Sequence, residues 1–357
     1  MDHLILAINP GSTSTKIAVY KSRKNIFLTN VKHTQEELRQ FEKISHQFEF
    51  RKNKISEELA KAGFDIKKFE IIVCRGGLLK PIKGGVYRVN ENMLRDISNP
   101  MGEHESNLGG VIANELTKEI GNGVIAIIVD PTCVDELEDI ARISGMPELP
   151  RKSFLHTLNQ RAVARTYAQD QGVAYENINV IVAHLGGGIS VGAHYKGRII
   201  DVNNGLNGDG PMSPERSGGL PVGQLVELCF SGKFTKEEIL KKIKGYGGLC
   251  AYLGINDGTK IEKQIEDGDV YSKLIYDAMA YQIAKEIGSC STVLKGEVDG
   301  ILLTGGIAYS KYIVEKITER VKHLGPVRIY PGESEMEALA FNGYLALKGE
   351  VEIQEYL

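Results

Sequence analysis

The stretch LILAINPGSTSTKIAVY, residues 4–20, decides the fold of the first half of the chain. Its apolar residues 4–8 predict a short buried strand, and residues 16–20 predict a second strand. The segment between them, residues 9–15, is a turn rich in Gly, Ser and Thr. Two strands joined by such a turn predict a β-hairpin.

The second half opens in the same order. Residues 179–183 predict a strand, HLGGG at 184–188 a turn, and residues 189–195 and 198–202 two more strands around a Lys196-Gly197 turn. We interpret this as a weak internal repeat of architecture, although the letters themselves do not repeat.

The remaining segments alternate between helical and strand patterns. Helices are predicted at 35–62, 106–120, 158–171, 222–295, 309–324 and 334–348, and strands at 70–74, 124–129, 300–304 and 327–330. This pattern predicts a mixed α/β protein with two related halves. A Pro-, Gly- and Ser-rich segment, residues 131–157, predicts the domain boundary.

Composition limits the class of protein. The 357 residues suffice for two domains, and a net charge of −3 argues against nucleic acid as the main partner. Five scattered cysteines without a CxxC pair predict a reducing cytoplasm. We find neither a signal-peptide pattern nor an apolar run near the ~20 residues that cross a bilayer, so no membrane role is expected.

Three glycine-bearing turns each follow an apolar strand, at residues 9–16, 184–190 and 304–310. Glycine lets backbone N–H groups approach phosphate oxygens, and Ser and Thr hydroxyls with Lys16 add donors and charge to the first turn. The sequence lacks a GxxxxGK[ST] pattern, and the chain after Gly188 alternates as a strand where a Rossmann fingerprint needs a helix. These turns therefore predict phosphate binding by hairpin turns from both halves.

Four motifs carry a resemblance to a known family: NPGSTSTK at 9–16, HLGGGIS at 184–190, GDGPMSPERSGG at 208–219 and TGGIA at 304–308. Together they resemble the acetate and butyrate kinases of the actin, heat-shock chaperone and sugar-kinase superfamily, and the Pro-Glu-Arg loop and modest length are most similar to the butyrate kinases. The resemblance implies an α/β fold of two related actin-like (ribonuclease H-like) domains, with mixed sheets and a nucleotide cleft between them. It implies a first domain of residues 1–150 plus a returning C-terminal helix, 336–357, and a nucleotide-binding domain of residues 151–335.

The resemblance also assigns roles in binding ATP or ADP. The first two turns would hold the β- and γ-phosphates, and the third would contact the adenosine end. The implied nucleotide-binding residues are Asn9, Ser12, Ser14, Lys16, Gly186, Gly187, Gly188, Gly305, Gly306 and Ile307.

The implied catalytic residues are Arg75, Asp130, His184 and Arg216. Arg75 would contact the substrate carboxylate with His104 nearby, and Arg216 and His184 would stabilise the transferring phosphoryl group. Asn9, Asp130 and Glu335 are matched to a Mg²⁺ site, although the register of Glu335 within ESEME, 333–337, is open by a residue or two.

Each assignment has a structural alternative. Arg75 and Arg216 could be surface arginines, and His184 could be a buried histidine satisfied by backbone groups. The 333–337 glutamates could simply favour a helix N-terminus. In the 154–161 segment a second family histidine is replaced by Gln160, so we leave His156 and its neighbours out of the catalytic set.

A carboxylic acid with a pKa near ~4.3 is ionised at neutral pH and needs no general base. The sequence thus predicts a kinase that transfers the γ-phosphoryl group of ATP to butyrate or a similar short, possibly branched acid, reversibly forming acyl phosphate and ADP. The alternatives are a sugar or polyol kinase, in which Asp130 could be the base, and an actin-like ATPase. The ATPase would usually add a partner domain, for which the nine residues after Lys348 leave no room. The resemblance further implies a homodimer or larger assembly; acid length and direction are not encoded.

Overall fold

The computed structural model describes residues 2–98, 105–121 and 123–357. The chain forms two compact units, Met1–Val134 with Ser334–Leu357, and Asp135–Glu333. The division after Val134 lies within the Pro-, Gly- and Ser-rich segment 131–157, and it falls earlier than the residue 150 that the resemblance implies. The physical reason is that the segment after Val134 is tied to the second unit, where the Glu138 N–H donates to the Ile200 carbonyl at 3.0 Å.

The described part of the first unit contains a seven-stranded sheet in the order β12-β5-β6-β4-β1-β2-β3. Its strands are β1 (Leu4–Pro10), β2 (Ser14–Lys21), β3 (Lys24–Lys32), β4 (Ile71–Arg75), β5 (Val86–Arg88), β6 (Ile125–Val129) and β12 (Ile353–Glu355). β1 and β2 pair antiparallel, which confirms the predicted hairpin, and β1, β4 and β6 run parallel.

Helices cover both faces of this sheet. The helices in the described part of this unit are α1 (Gln35–Leu38), α2 (Phe48–Lys61), α3 (Glu91–Ser98), α4 (Asn107–Ile120) and α13 (Glu335–Lys348), and α2, α4 and α13 pack on the sheet. Leu6 and Ile72 face the core that α2 and α4 share, while Ile5 and Val73 face Gly343 of α13. Because both faces are buried, the central strands are continuously apolar.

The second unit contains a five-stranded sheet in the order β11-β10-β7-β8-β9. Its strands are β7 (Asn179–Leu185), β8 (Ile189–Tyr195), β9 (Arg198–Val202), β10 (Gly300–Gly305) and β11 (Val327–Pro331). Its helices are α5 (Asp139–Arg142), α6 (Thr157–Asp170), α7 (Val222–Phe230), α8 (Lys236–Ile243), α9 (Gly248–Leu253), α10 (Gly258–Glu266), α11 (Val270–Val293) and α12 (Lys311–Val321). α11 and α12 pack on one face of the sheet and α6 on the other.

The two sheets share one plan. In β6-β4-β1-β2-β3 and in β11-β10-β7-β8-β9, the order by chain position is fifth, fourth, first, second, third. The predicted repeat of architecture is therefore confirmed. In both sheets a glycine turn links the first strand to the second, so both turns lie at the same edge of their sheet. No helix in the described ranges is long and apolar enough to cross a membrane.

Candidate active site

Three predicted residues of the first unit meet at one edge of its sheet. Asn9 lies near the end of β1, Arg75 ends β4, and Asp130 follows β6. These strands are parallel and in register, with Ile8 opposite Cys74 and Arg75 opposite Val129. The carboxyl ends of parallel strands are where α/β proteins bind ligands.

Glu335, which is distant in sequence, joins Asn9 and Arg75 at this edge. Asn9 Nδ2 donates to Glu335 Oε2 at 2.5 Å, and Arg75 Nη1 lies 3.2 Å from the same carboxylate. Glu335 is only 3 % exposed, whereas Glu333 and Glu337 are exposed. Of the three glutamates, Glu335 is thus the one buried against Asn9 and Arg75, and its role at a metal remains a prediction.

Asp130 is buried and strained at the same edge. Its φ of +39° is uncommon for a residue other than glycine, although Asp tolerates the left-handed region better than most. Its Oδ1 accepts the Gly85 N–H at 2.9 Å, and its own N–H donates to the Gly85 carbonyl at 3.0 Å. The carboxylate is therefore held in place by the backbone before β5.

The glycines after Arg75 have a packing role. A Cβ on Gly77 would lie 2.0 Å from Asn107 Oδ1, which accepts the Leu78 N–H at 2.7 Å. A Cβ on Gly109 of α4 would lie 2.5 Å from the Arg75 carbonyl. The close approach of α4 to this strand end therefore requires glycine on both sides. This packing holds the backbone of Arg75 in place.

The first glycine turn is tight, with the Gly11 N–H donating to the Ser14 carbonyl at 2.8 Å. Ser12 is exposed, Ser14 is partly buried, and Lys16 pairs with Asn9 across the hairpin. The turn therefore presents hydroxyl and amine donors near Asn9.

His184 lies within β7 in the second unit, because that strand continues past its predicted end at residue 183. It is 1 % exposed, and its Nδ1 lies 2.7 Å from Asn159 Oδ1. A Cβ on Gly186 would lie 3.1 Å from His184 Nε2, so this nitrogen faces the second glycine turn. The carboxylate of Glu333 lies 3.6 Å from the same nitrogen.

Arg216 lies directly on the second glycine turn. A Cβ on Gly188 would lie 1.9 Å from Arg216 Nη1, so only glycine allows this approach. The guanidinium donates to the Gly205 carbonyl, and burial lowers its pKa. Ser213 Oγ donates to the Gly187 carbonyl at 2.6 Å. The structure thus brings the 184–190 and 208–219 motifs together.

The third glycine turn lies beside the second. Thr304 is opposite His184 in the sheet, and a Cβ on Gly305 would lie 2.4 Å from the Leu185 carbonyl. Gly305 has a φ of +89°, which favours glycine, and it exchanges two backbone hydrogen bonds with Gly332. Gly306 is exposed and Ile307 is partly buried, so the turn presents open backbone next to an apolar side chain.

The segment that we left out of the catalytic set contacts His184 directly. The His156 ring stacks on the His184 ring with centroids 3.9 Å apart, and His156 Nδ1 lies 2.9 Å from Ser190 Oγ. Gln160 Nε2 donates to the same Ser190 Oγ at 2.9 Å. The sequence signal was present, since HTLNQ opens a helix with four polar residues, all but His156 buried.

His104, the last predicted residue, lies outside the described residues, and its role remains a prediction. The other predicted residues form two groups. Asn9, Ser12, Ser14, Lys16, Arg75, Asp130 and Glu335 belong to the first unit, and His184, Gly186, Gly187, Gly188, Arg216, Gly305, Gly306 and Ile307 belong to the second.

Two sheets of the same strand order, with glycine turns at corresponding strand ends, define a protein of the actin and sugar-kinase class of folds. A crystal structure of the acetate kinase from Porphyromonas gingivalis is similar, with a TM-score of 0.77 over 97 % of this chain and 100 % of that chain at 16 % identity. Butyrate kinase 2 of Clostridium acetobutylicum is 54 % identical over 100 % of both chains, and a probable butyrate kinase of Bacteroides thetaiotaomicron is 53 % identical over 99 % of both. The sequence model of the acetokinase family matches residues 149–336. The chain belongs to the acetokinase family.

Proposed function

We propose that this protein transfers the γ-phosphoryl group of ATP reversibly to the carboxylate of butyrate or a similar short-chain acid. The observation that carries the proposal is the position of Arg216 on the Gly188 turn beside His184. Arg216 supplies positive charge and N–H donors next to the backbone N–H groups of the turn, and His184 turns its Nε2 toward the same turn. Positive charge and N–H donors are what a transferring phosphoryl group requires. The full-length similarity to two butyrate kinases supports the choice of acid.

The reaction needs positioning and charge stabilisation more than proton transfer. A carboxylate oxygen of the ionised acid attacks the γ-phosphorus, the bond between that phosphorus and the bridging β–γ oxygen breaks, and ADP leaves. No proton has to be removed from the nucleophile. In this scheme the turns at 9–16 and 186–188 hold the phosphates, and the turn at 305–307 holds the adenosine end.

Arg75 is proposed to bind the acid. Among the described residues its guanidinium pairs with Glu335 through Nη1, which leaves further N–H donors for a second carboxylate. An incoming acid would therefore share the arginine with Glu335 rather than find it unpaired. This sharing keeps the arginine ordered before the acid binds.

Mg²⁺ is proposed as the metal cofactor. The oxygen-bearing side chains of Asn9, Asp130 and Glu335 have the ligand chemistry that Mg²⁺ prefers. The described residues contain no group of three or more His, Cys, Asp or Glu side chains placed to hold a metal. That fits a Mg²⁺ held mainly by nucleotide phosphates and waters, with one or two protein oxygens. When bound, the metal would neutralise developing phosphate charge.

We propose a reducing cytoplasmic location, supported by five free cysteines with no disulfide. We also propose a homodimer or larger assembly, which sedimentation at several protein concentrations would test.

Hydroxylamine trapping tests the main proposal. Acyl phosphate formation is measured with ATP and Mg²⁺ and with acetate, propionate, butyrate, isobutyrate or glycerol. We expect turnover centred on butyrate that collapses in Arg75→Ala and Arg216→Ala. Binding of ATP without a trappable product from any acid would overturn the proposed reaction.

A further inference from the structure

A buried arginine outside the predicted site holds the first glycine turn. Arg51 of α2 is 0 % exposed, which is rare for arginine without a compensating partner. Its Nη1 donates to the Gly11 carbonyl at 2.7 Å, the Ser14 carbonyl at 3.2 Å and Thr15 Oγ1 at 3.2 Å. One guanidinium nitrogen thus contacts three residues of the turn.

The other guanidinium nitrogens of Arg51 donate further hydrogen bonds. Nη2 donates to the Ser12 carbonyl at 3.1 Å and to Gln47 Oε1 at 2.9 Å, and Nε donates to the same Gln47 oxygen at 3.1 Å. All these acceptors are carbonyl or hydroxyl oxygens. Among the described residues no carboxylate lies within ion-pair distance of Arg51, and the hydrogen-bond partners of its guanidinium are the turn and Gln47.

The direction of these carbonyls sets the direction of the amides. In a trans peptide the C=O and the following N–H point in opposite directions. Because the carbonyls of Gly11 and Ser12 point to Arg51, the N–H groups of Ser12 and Thr13 point away from it, on the side where both residues are exposed. Adjacent N–H groups that point the same way form an anion-binding nest.

The positive charge of Arg51 lies behind the N–H groups of Ser12 and Thr13. Burial lowers the pKa of its guanidinium and the charge of Glu105 raises it, but arginine stays protonated in proteins. A buried charge is costly unless an opposite charge lies near. A phosphate in the nest would supply that opposite charge across one layer of peptide.

We propose that Arg51 is a positioning residue for nucleotide phosphate, which both orients the amides of the 11–15 turn and supplies the positive charge beneath it. This inference rests on the proposed nucleotide-binding role of that turn. Arg51 lies 35 residues after Lys16 and outside all four sequence motifs, so the inference adds a residue that those motifs do not contain.

Three variants separate the two effects. Gln47→Glu keeps an oxygen acceptor for Arg51, but its carboxylate offsets the positive charge of the guanidinium. Arg51→Lys keeps the positive charge but loses the planar fork of donors. Arg51→Met removes both. Gln35→Glu is the matched control, since it makes the same substitution at an exposed position of α1.

The readout is ADP affinity by calorimetry together with the urea midpoint of each full-length variant. We expect Gln47→Glu and Arg51→Lys each to weaken ADP binding about tenfold, Arg51→Met to weaken it more, and Gln35→Glu to leave it unchanged. The KM for butyrate should stay within about twofold of wild type in all of them, because Arg51 makes no contact with Arg75 in the structure.

Gln47→Glu decides the outcome even if the arginine variants do not fold. A folded Gln47→Glu protein with wild-type ADP affinity would overturn the inference, because a merely structural arginine changes stability without changing affinity. ADP binding needs no acid substrate. Absence of acyl phosphate in the wild-type assay would therefore contradict the proposed reaction while leaving this test in force.

Discussion

The imidazole rings of His156 and His184 are stacked, with centroids 3.9 Å apart and planes inclined by 12°. His156 is itself held by Ser190 Oγ at 2.9 Å from its Nδ1. The stacked face and the bond from His184 Nδ1 to Asn159 together leave the His184 ring one orientation, with Nε2 toward the glycine turn. His156 therefore positions the ring that we propose acts on the phosphoryl group.

His156→Ala should lower kcat for butyrate about tenfold while the KM for butyrate and ATP changes little, because the ring of His184 loses its support but both substrates keep their contacts. Steady-state kinetics checks this. His156→Phe keeps an aromatic face and should retain more activity than alanine. His323→Ala, at an exposed position, is the control. Wild-type kcat in His156→Ala would contradict the positioning role.

The Arg75–Glu335 pair leads to a second prediction. Arg75→Ala should raise the KM for butyrate about 10- to 100-fold, the loss expected for a hydrogen bond between charged groups, with little change in the KM for ATP. Glu335→Gln removes the negative charge with which the acid must share Arg75. It should also change the Mg²⁺ dependence of the rate. Kinetics at varied butyrate, ATP and Mg²⁺ separates these effects. A similar rise in the KM for ATP in Arg75→Ala would place Arg75 at the nucleotide instead.

A third prediction follows from the contact between Gly188 and Arg216. Gly188→Ala should displace the guanidinium, because its Cβ would lie 1.9 Å from Nη1. We expect kcat to fall by at least about tenfold. Gly223→Ala is the control, since a Cβ there meets nothing within 4 Å. Equal activity of Gly188→Ala and wild type would show that Arg216 does not act through this position.

The strand-turn-strand segments were predictable because their signal is local. Residues 4–20 and 179–202 alternate or run apolar between glycine turns, and the structure places strands at both. β5 and β12 were missed because three residues are too few to show a period. β3 was missed because an edge strand with one exposed face carries many polar residues.

The site was predictable only where a motif marked it. The contacts that complete it join residues far apart in the chain: Arg51 to Gly11, His156 to His184 and Glu335 to Arg75. Such contacts depend on how helices pack on the sheet, which no local pattern encodes. The burial of Glu335, with Glu333 and Glu337 exposed, likewise depends on the fold, because three glutamates in five residues have the same local chemistry.

A buried carboxylate in α11 gives a pH-dependent prediction. The pKa of Glu286 is raised from 4.5 to about 7, mainly by burial and then by the charge of Asp209 and Asp201, against the opposing charge of Arg151 and Lys285. The folded protein therefore holds a proton on Glu286 between about pH 4.5 and 7 that the unfolded chain releases. This proton stabilises the fold at low pH, and its contribution is lost as pH rises through 7.

Glu286→Gln should remove this dependence, because glutamine stays neutral at every pH. The variant should match wild type near pH 4.5 and exceed its stability at pH 8 by up to about 3 kcal/mol, the value of a shift of that size. Urea unfolding of the full chain at pH 4.5, 6 and 8 checks this, with Glu266→Gln at an exposed position of α10 as the control. A stability difference between Glu286→Gln and wild type that does not grow with pH would mean that Glu286 is ionised throughout, with its charge compensated by Arg151.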